Sequence, residues 1–251
     1  MEQGYLAIVL HAHLPYVRHP EYEDPLEENW LYEAITETYI PLFLVLENLL
    51  QDGIDFRLTV SLTPTLSSML LDPLLQERYV RKIDRTIEAA EMELARTSDQ
   101  PEFHMLARMY HRLFLRVRDA FVNRYGCDLV GALKGFQETG KVEVIASAAT
   151  HGYLPLLALH PAAVRTQIRV GAEHYERTFG RTPRGFWLPE CGYCAAVEAP
   201  LRESGVHYTI LDTHGITHAN PRPRFGAYAP VYCPSGLAAF GRDPESSRQV
   251  W

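Results

Sequence analysis

Val142-Glu143-Val144-Ile145-Ala146-Ser147, then Pro161 to Phe179, then Gly185-Phe186-Trp187-Leu188-Pro189-Glu190, form the stretch on which the fold turns. The first segment is a short run of β-branched and apolar residues, as in a strand buried on both faces. The second reads as a helix and opens on Pro161, whose missing N–H would have had no partner in a first turn. The third is apolar again and stops at a proline. Strand, helix and strand in succession predict two parallel strands joined by a crossover with the helix outside the sheet.

The alternation extends in both directions. Ala195–Glu203 reads as a helix and His207–Leu211 as a strand. Upstream, Tyr5–Leu10 is a continuous apolar run expected as a strand covered on both faces, and Phe56–Leu62 is a second strand ended by Pro64. Between them Asn29–Leu50 has helical spacing, with Pro41 expected to kink it. Residues 73–137 look almost wholly helical, which is too long for a simple crossover, so an inserted helical subdomain is expected there. From Asp212 onward Pro and Gly are frequent, leaving room for short hairpin strands such as Gly226–Cys233. The fold class is α/β, either a barrel or an open sheet. In both, ligands gather at the carboxyl ends of the strands.

Composition narrows the classes of function. The 251 residues are 47% hydrophobic and 22% charged, enough for a sizeable core and against a disordered chain. A net charge of −7 offers no footprint for a phosphate backbone, so a nucleic-acid partner is not expected. The apolar run near the start is too short for a signal-peptide core or a membrane span, so no membrane partner is expected. Four cysteines in a chain of this length do not make a disulfide framework, which fits a cytoplasmic protein.

The strand ends carry the chemistry. The first expected strand runs into His11-Ala12-His13-Leu14-Pro15-Tyr16, the second into Thr63-Pro64, the third into Thr150-His151-Gly152-Tyr153, the fourth into Pro189-Glu190 and the fifth into Asp212-Thr213-His214. His-x-His occurs in zinc sites, and hydrogen bonding to a substrate uses the same residues equally well. The two rings are expected on opposite sides of the strand unless the backbone bends. Glu190 follows an apolar strand and a proline and stands between Trp187 and Tyr193, an environment expected to tune a carboxylate for catalysis, with aromatic faces on which sugar rings could stack. An ordinary loop glutamate capping the next helix is the plainer alternative. Cys191 and Cys194 form a C-x-x-C with no second pair at metal spacing, and carry no assigned role.

Together these residues resemble glycoside hydrolase family 57, and within it the 1,4-α-glucan branching enzymes. The resemblance rests on His11-Ala12-His13-Leu14-Pro15-Tyr16-Val17-Arg18-His19-Pro20, on Leu26-Glu27-Glu28-Asn29-Trp30-Leu31, on Thr150-His151-Gly152-Tyr153-Leu154-Pro155 and on Trp187-Leu188-Pro189-Glu190-Cys191-Gly192-Tyr193. A last block runs from Phe240 to Trp251. The resemblance implies an incomplete (β/α)7 barrel and a retaining mechanism with Glu190 as nucleophile. It implies an α-glucan partner (amylose or glycogen), and no cofactor or metal. His11, His13, His151, Trp187, Tyr16 and Tyr153 would bind substrate. The family's acid/base is an aspartate in a fourth motif that this sequence does not display. Asp212 and Asp243 lie in the wrong contexts, so the chain is expected to be the N-terminal part of such an enzyme, without its C-terminal helical domain. The expected function is α-1,4 cleavage with α-1,6 branch formation, as in glycogen biosynthesis. The alternatives are α-amylase or 4-α-glucanotransferase activity, a metal-dependent polysaccharide deacetylase-like hydrolase, and a non-catalytic glucan-binding fragment.

Overall fold

A computed structural model describes residues 4–250; Trp251, which ends the last family-like block, lies outside them. Seven strands form one open sheet: β1 (Val9–Ala12), β2 (Leu58–Leu62), β3 (Val142–Ser147), β4 (Gly185–Trp187), β5 (Tyr208–Leu211), β6 (Val231–Tyr232) and β7 (Ala238–Gly241). Their order is β1-β2-β3-β4-β5-β7-β6. Every neighbouring pair is parallel except β6 with β7. This is the unclosed, mostly parallel sheet of an incomplete barrel. The central strands are the most deeply buried: Ile145, Phe186 and Ala239 have no exposed surface.

The helices follow in chain order. α1 (Glu28–Ala34) and α2 (Ile40–Gln51) are joined by a wide π-helical turn over Ile35–Tyr39. Pro41 has no N–H to give, and the i to i−5 bond from Ile40 N–H to Ile35 carries the helix past the gap. α3 (Pro64–Leu70) precedes α4 (Pro73–Arg96), α5 (Pro101–Asp119) and α6 (Leu129–Glu138). Asp72 caps α4 by accepting from Leu74 N–H at 3.0 Å and Leu75 N–H at 3.2 Å. After β3 come α7 (Leu154–Leu157), α8 (Pro161–Phe179) and α9 (Glu198–Glu203). α8 ends at Gly180, whose φ of 71° is the left-handed closure that glycine adopts without strain.

Two compact units divide the chain. One reaches to His13, takes in Arg57–Leu66, resumes at Val142 and holds the whole sheet; the other comprises Leu14–Phe56 and Ser67–Lys141 and is helical. The helical unit therefore takes in more than residues 73–137. Inside it Glu28 is 1% exposed and accepts from Arg78 Nη1 at 2.5 Å and from the Tyr32 hydroxyl at 2.7 Å. Arg78 also donates to the carbonyls of His19 and Tyr22. In the sheet unit α8 lies close on β3: a Cβ on Gly171 would stand 2.1 Å from the Ser147 carbonyl oxygen, so no larger residue fits there.

Two sequence expectations need correction. The first strand is Val9–Ala12, not Tyr5–Leu10, and Tyr5 and Leu6 are exposed. Among the described residues it is an edge strand paired only with β2, so its apolar character does not mean cover on both faces. The final hairpin joins β6 to β7 rather than filling Gly226–Cys233.

Candidate functional site

β1 and β2 run in parallel register, with His11 opposite Ser61. Residues two apart on a strand share a face. His11 and His13 therefore project together, against the expectation of opposite sides, which miscounted the strand's period of two. Ser61 and Thr63 project beside them. His11 Nδ1 lies 3.1 Å from Ser61 Oγ, and His13 Nδ1 lies 3.1 Å from Thr63 Oγ1. Both hydroxyl residues are fully buried.

His151 enters from the loop after β3. Its backbone has φ 56°, a left-handed conformation that is uncommon for a side-chain-bearing residue. Gln167 on α8 holds that loop: its carbonyl accepts from Ala149 N–H at 2.9 Å, its side-chain oxygen from Thr150 N–H at 3.0 Å, and its amide donates to Thr150 Oγ1 at 2.7 Å. The His151 ring stacks on His13 with centroids 3.8 Å apart and on His11 at 5.0 Å. His11 stacks in turn on Trp187 at 4.5 Å and an interplanar angle of 13°.

All three imidazoles are held below their ordinary pKa. Burial, then the neighbouring His151, His13 and Arg242, push His11 down to about 3. Burial and then His13 push His151 down to about 4. Burial lowers His13 as well, against the pull of the Glu190 carboxylate. The rings are neutral at pH 7, as a close stack of ionisable groups requires. Rings so nearly parallel do not bring their in-plane lone pairs to one point. Among the described residues no group of three or more His, Cys, Asp or Glu is placed to hold a metal ion.

Glu190 sits just past β4 in a tight turn closed by Cys191 N–H to Leu188 O at 2.8 Å and Gly192 N–H to Pro189 O at 3.0 Å. Both Glu190 and Cys191 have φ 53°. Two successive left-handed side-chain residues store roughly 1–2 kcal/mol each, and such strain collects where a side chain must be aimed. Glu190 Oε1 comes 4.0 Å from His151 Nε2.

The expected aromatic enclosure of Glu190 is not found. Its side chain is 79% exposed. Trp187 points into a buried cluster with Ile145, Cys191 and Ile210, and the Tyr193 hydroxyl donates to Glu198. Neighbours in sequence within a turn need not be neighbours in space. Burial raises the Cys191 thiol despite nearby Arg242, so it stays protonated beside the carboxylate. Tyr153 is 43% exposed, and its ring lies where a Cβ on Gly192 would be, 2.3 Å away. His11, His13, His151, Glu190, Trp187 and Tyr153 thus all belong to the sheet unit. Tyr16, 58% exposed, belongs to the helical unit. Ser61, Ser147 and Gln167 escaped the sequence reading, and Thr63 stood out in it only as the polar end of the second strand.

Two side-chain nitrogens in this cluster, His151 Nε2 and Trp187 Nε1, are buried without a hydrogen-bond partner. The site is therefore a short column of neutral rings beside an open carboxylate, with unused polar atoms turned inward. That composition suits a polyhydroxylated ligand, which both donates and accepts.

Comparison with known proteins fits this chemistry. The model of Glycosyl hydrolase family 57 matches residues 7–250. A 1,4-alpha-glucan branching enzyme of Thermococcus kodakarensis is 35% identical over 281 residues, which cover 99% of this chain and 40% of that protein. The crystal structure of the alpha-amylase AmyC from Thermotoga maritima superposes with a TM-score of 0.94 at 45% identity, covering 100% of this chain and 48% of that one. The GH57-type branching enzyme from Pyrococcus horikoshii gives a TM-score of 0.90 at 34% identity, covering 100% and 49%. The chain spans about half the length of these solved relatives and less of the Thermococcus protein.

Proposed function

The chain belongs to glycosyl hydrolase family 57, and from that premise we propose that it carries the nucleophile half of a retaining α-glucan branching site. The observation that carries the proposal is the placement of Glu190 beside the stacked His13 and His151, at the carboxyl ends of β1, β3 and β4. Glu190 attacks the anomeric carbon of an α-1,4 linkage. A C1–carboxylate ester forms, the bond to the leaving oxygen breaks, and that oxygen takes a proton. The 6-hydroxyl of an acceptor glucan then attacks C1, frees Glu190 and gives up its proton, leaving an α-1,6 branch. Dividing the substitution in two replaces one hard step by two easier ones.

His11, His13, His151 and Tyr153 bind the glucosyl unit in this reading, with Trp187 packed behind His11. Tyr16 is proposed as a glucan contact on sequence grounds. The proton donor is a second carboxyl group about 5–5.5 Å from the first in a retaining enzyme. On the family pattern it is an aspartate of a fourth motif, which residues 1–251 do not display. The substrate is amylose or glycogen, and the role is glycogen biosynthesis. The cytoplasm is the proposed compartment, consistent with four cysteines that are all free. No described helix is long and apolar enough to cross a membrane.

A second reading, hydrolysis by an α-amylase, is favoured by the 45% identity to AmyC. Transfer wins over hydrolysis only where the acceptor is held and water kept out. The test uses a protein that joins residues 1–251 to the family's second carboxyl group. Amylose is followed by iodine staining, by a count of new α-1,6 links and by reducing ends. New α-1,6 links support branching, and reducing ends without them support the amylase. Glu190→Gln keeps the shape but cannot form the ester, so either activity should fall by roughly 10³-fold or more, with glucan binding nearly intact. Unchanged turnover would end the nucleophile assignment.

A further inference from the structure

Ser147 is the last residue of β3 and has no exposed surface. Its hydroxyl lies 2.9 Å from the Trp187 carbonyl oxygen and 3.2 Å from His151 Nδ1. A serine has one hydroxyl hydrogen, and a carbonyl oxygen can only accept. The hydrogen therefore goes to Trp187 O, and the bond to His151 must run the other way, from Nδ1–H to Ser147 Oγ. A neutral imidazole protonated on Nδ1 has a bare lone pair on Nε2. That atom is buried, has no partner in the protein, and lies 4.0 Å from Glu190 Oε1.

We infer that Ser147 is a positioning residue that fixes His151 as the Nδ1–H tautomer, making Nε2 an acceptor for a substrate hydroxyl beside Glu190. The inference rests on the α-glucan reading for the identity of that hydroxyl, but not for the tautomer. Nε2 and the carboxylate are both acceptors. Facing each other across 4.0 Å, they have nothing to exchange until a ligand brings hydrogens. A sugar ring, with hydroxyls on adjacent carbons, can supply one to each once the exposed Glu190 side chain turns aside and uncovers the buried Nε2. The opposite tautomer would present N–H to the carboxylate and close this acceptor to the ligand. The low pKa of His151, about 4, keeps the second proton off at neutral pH.

Ser147 also explains a register. Its carbonyl-bound hydroxyl joins the end of β3 to the end of β4, where Ser147 pairs with Trp187. The same hydroxyl that joins the two strands thus reports their pairing to the ring at the site. Ser61 and Thr63 hold His11 and His13 by the same kind of contact. Only for His151 does a second partner settle the direction.

The experiment is ¹⁵N NMR of the histidine side chains in the 251-residue chain at pH 7, with His151 assigned by its loss in His151→Gln. The expected result is a protonated Nδ1 and a bare Nε2. A protonated Nε2 in the unmodified chain overturns the inference. Ser147→Ala should give a mixture of tautomers and Ser147→Thr should restore the single one. If Ser147→Ala does not fold, the unmodified chain and Ser147→Thr still decide. Maltotriose is then added. The Nε2 resonance should move while Nδ1 keeps its proton, and Ser147→Ala should bind maltotriose roughly tenfold more weakly, the loss that about 1.4 kcal/mol represents. Maltotriose binding that leaves Nε2 unmoved overturns the acceptor role. If maltotriose does not bind while the tautomer is as stated, the glucan reading falls and the tautomer assignment stands.

Discussion

Two buried polar groups sit in the two units of this chain and are built to opposite ends. In the helical unit Glu28 and Arg78 are both charged, and almost every polar atom finds a partner: Arg78 reaches Glu28, His19 O and Tyr22 O, and only its Nε is left over. In the sheet unit the three histidines of the stack are neutral, each is tied at Nδ1 to a serine or threonine hydroxyl, and the buried Nε2 of His151 is left without a hydrogen-bond partner. A paired charge consumes its own valences and leaves nothing for a ligand. A neutral ring can be buried at little cost while one nitrogen stays available. The first arrangement fixes a loop, and the second waits for a visitor.

The largest effect that tests this contrast is on stability. Glu28→Ala strands the Arg78 guanidinium in a site where it is 8% exposed, and should cost about 3–5 kcal/mol in urea unfolding. A loss below about 1 kcal/mol would show that water replaces the carboxylate and that the network is not closed. Next comes acid. His151 has a folded pKa of about 4 against 6.5 for an ordinary histidine, so between these values the unfolded chain binds the extra proton. Its contribution is complete above pH 6.5 and is lost as the pH falls towards 4, about 3 kcal/mol in all. His11 and His13 are shifted in the same direction. Comparing urea midpoints of the chain and of His151→Gln at pH 7 and pH 4.5 isolates the effect. Parallel pH dependences would mean that the ring titrates normally.

How far the sequence already disclosed this contrast differs between the units. Strand Val142–Ser147 and helix Pro161–Phe179 were readable to the residue, because apolar runs and a proline at a helix start report local physics. The histidines and Glu190 were visible as polar residues at strand ends. Thr63 was visible in the same way, but Ser147 and Ser61 were not, since a hydroxyl inside a strand means nothing until the register sets it beside a ring. The start of β1 was misplaced for a related reason: apolarity does not distinguish a central strand from an edge. The partnership of Glu28 with Arg78, fifty residues apart, leaves no local trace at all.

The smallest effect sharpens the site alone. Gly192→Ala places a methyl group against the rim of the Tyr153 ring, which is half-exposed and can swing aside, so stability should fall by about 1 kcal/mol. Binding of maltotriose should fall further than stability does, because the displaced ring is one of the proposed sugar contacts. Equal losses in both would make Tyr153 a packing residue only.

The turn that carries Glu190 has a consequence for anyone improving this protein by selection. Glu190 and Cys191 both hold φ 53°, where glycine and asparagine rest more easily. Variants sorted only for heat resistance should drift towards those residues at the exposed position 190, relieving on the order of 1 kcal/mol, while Cys191 is kept by its packing against Ile145, Trp187 and Ile210. Such a lineage would become sturdier as it discarded its carboxylate. With Glu190 as the proposed nucleophile, durability and chemistry pull this turn in opposite directions, and a glutamate is expected to survive here only where the chemistry is what is being chosen.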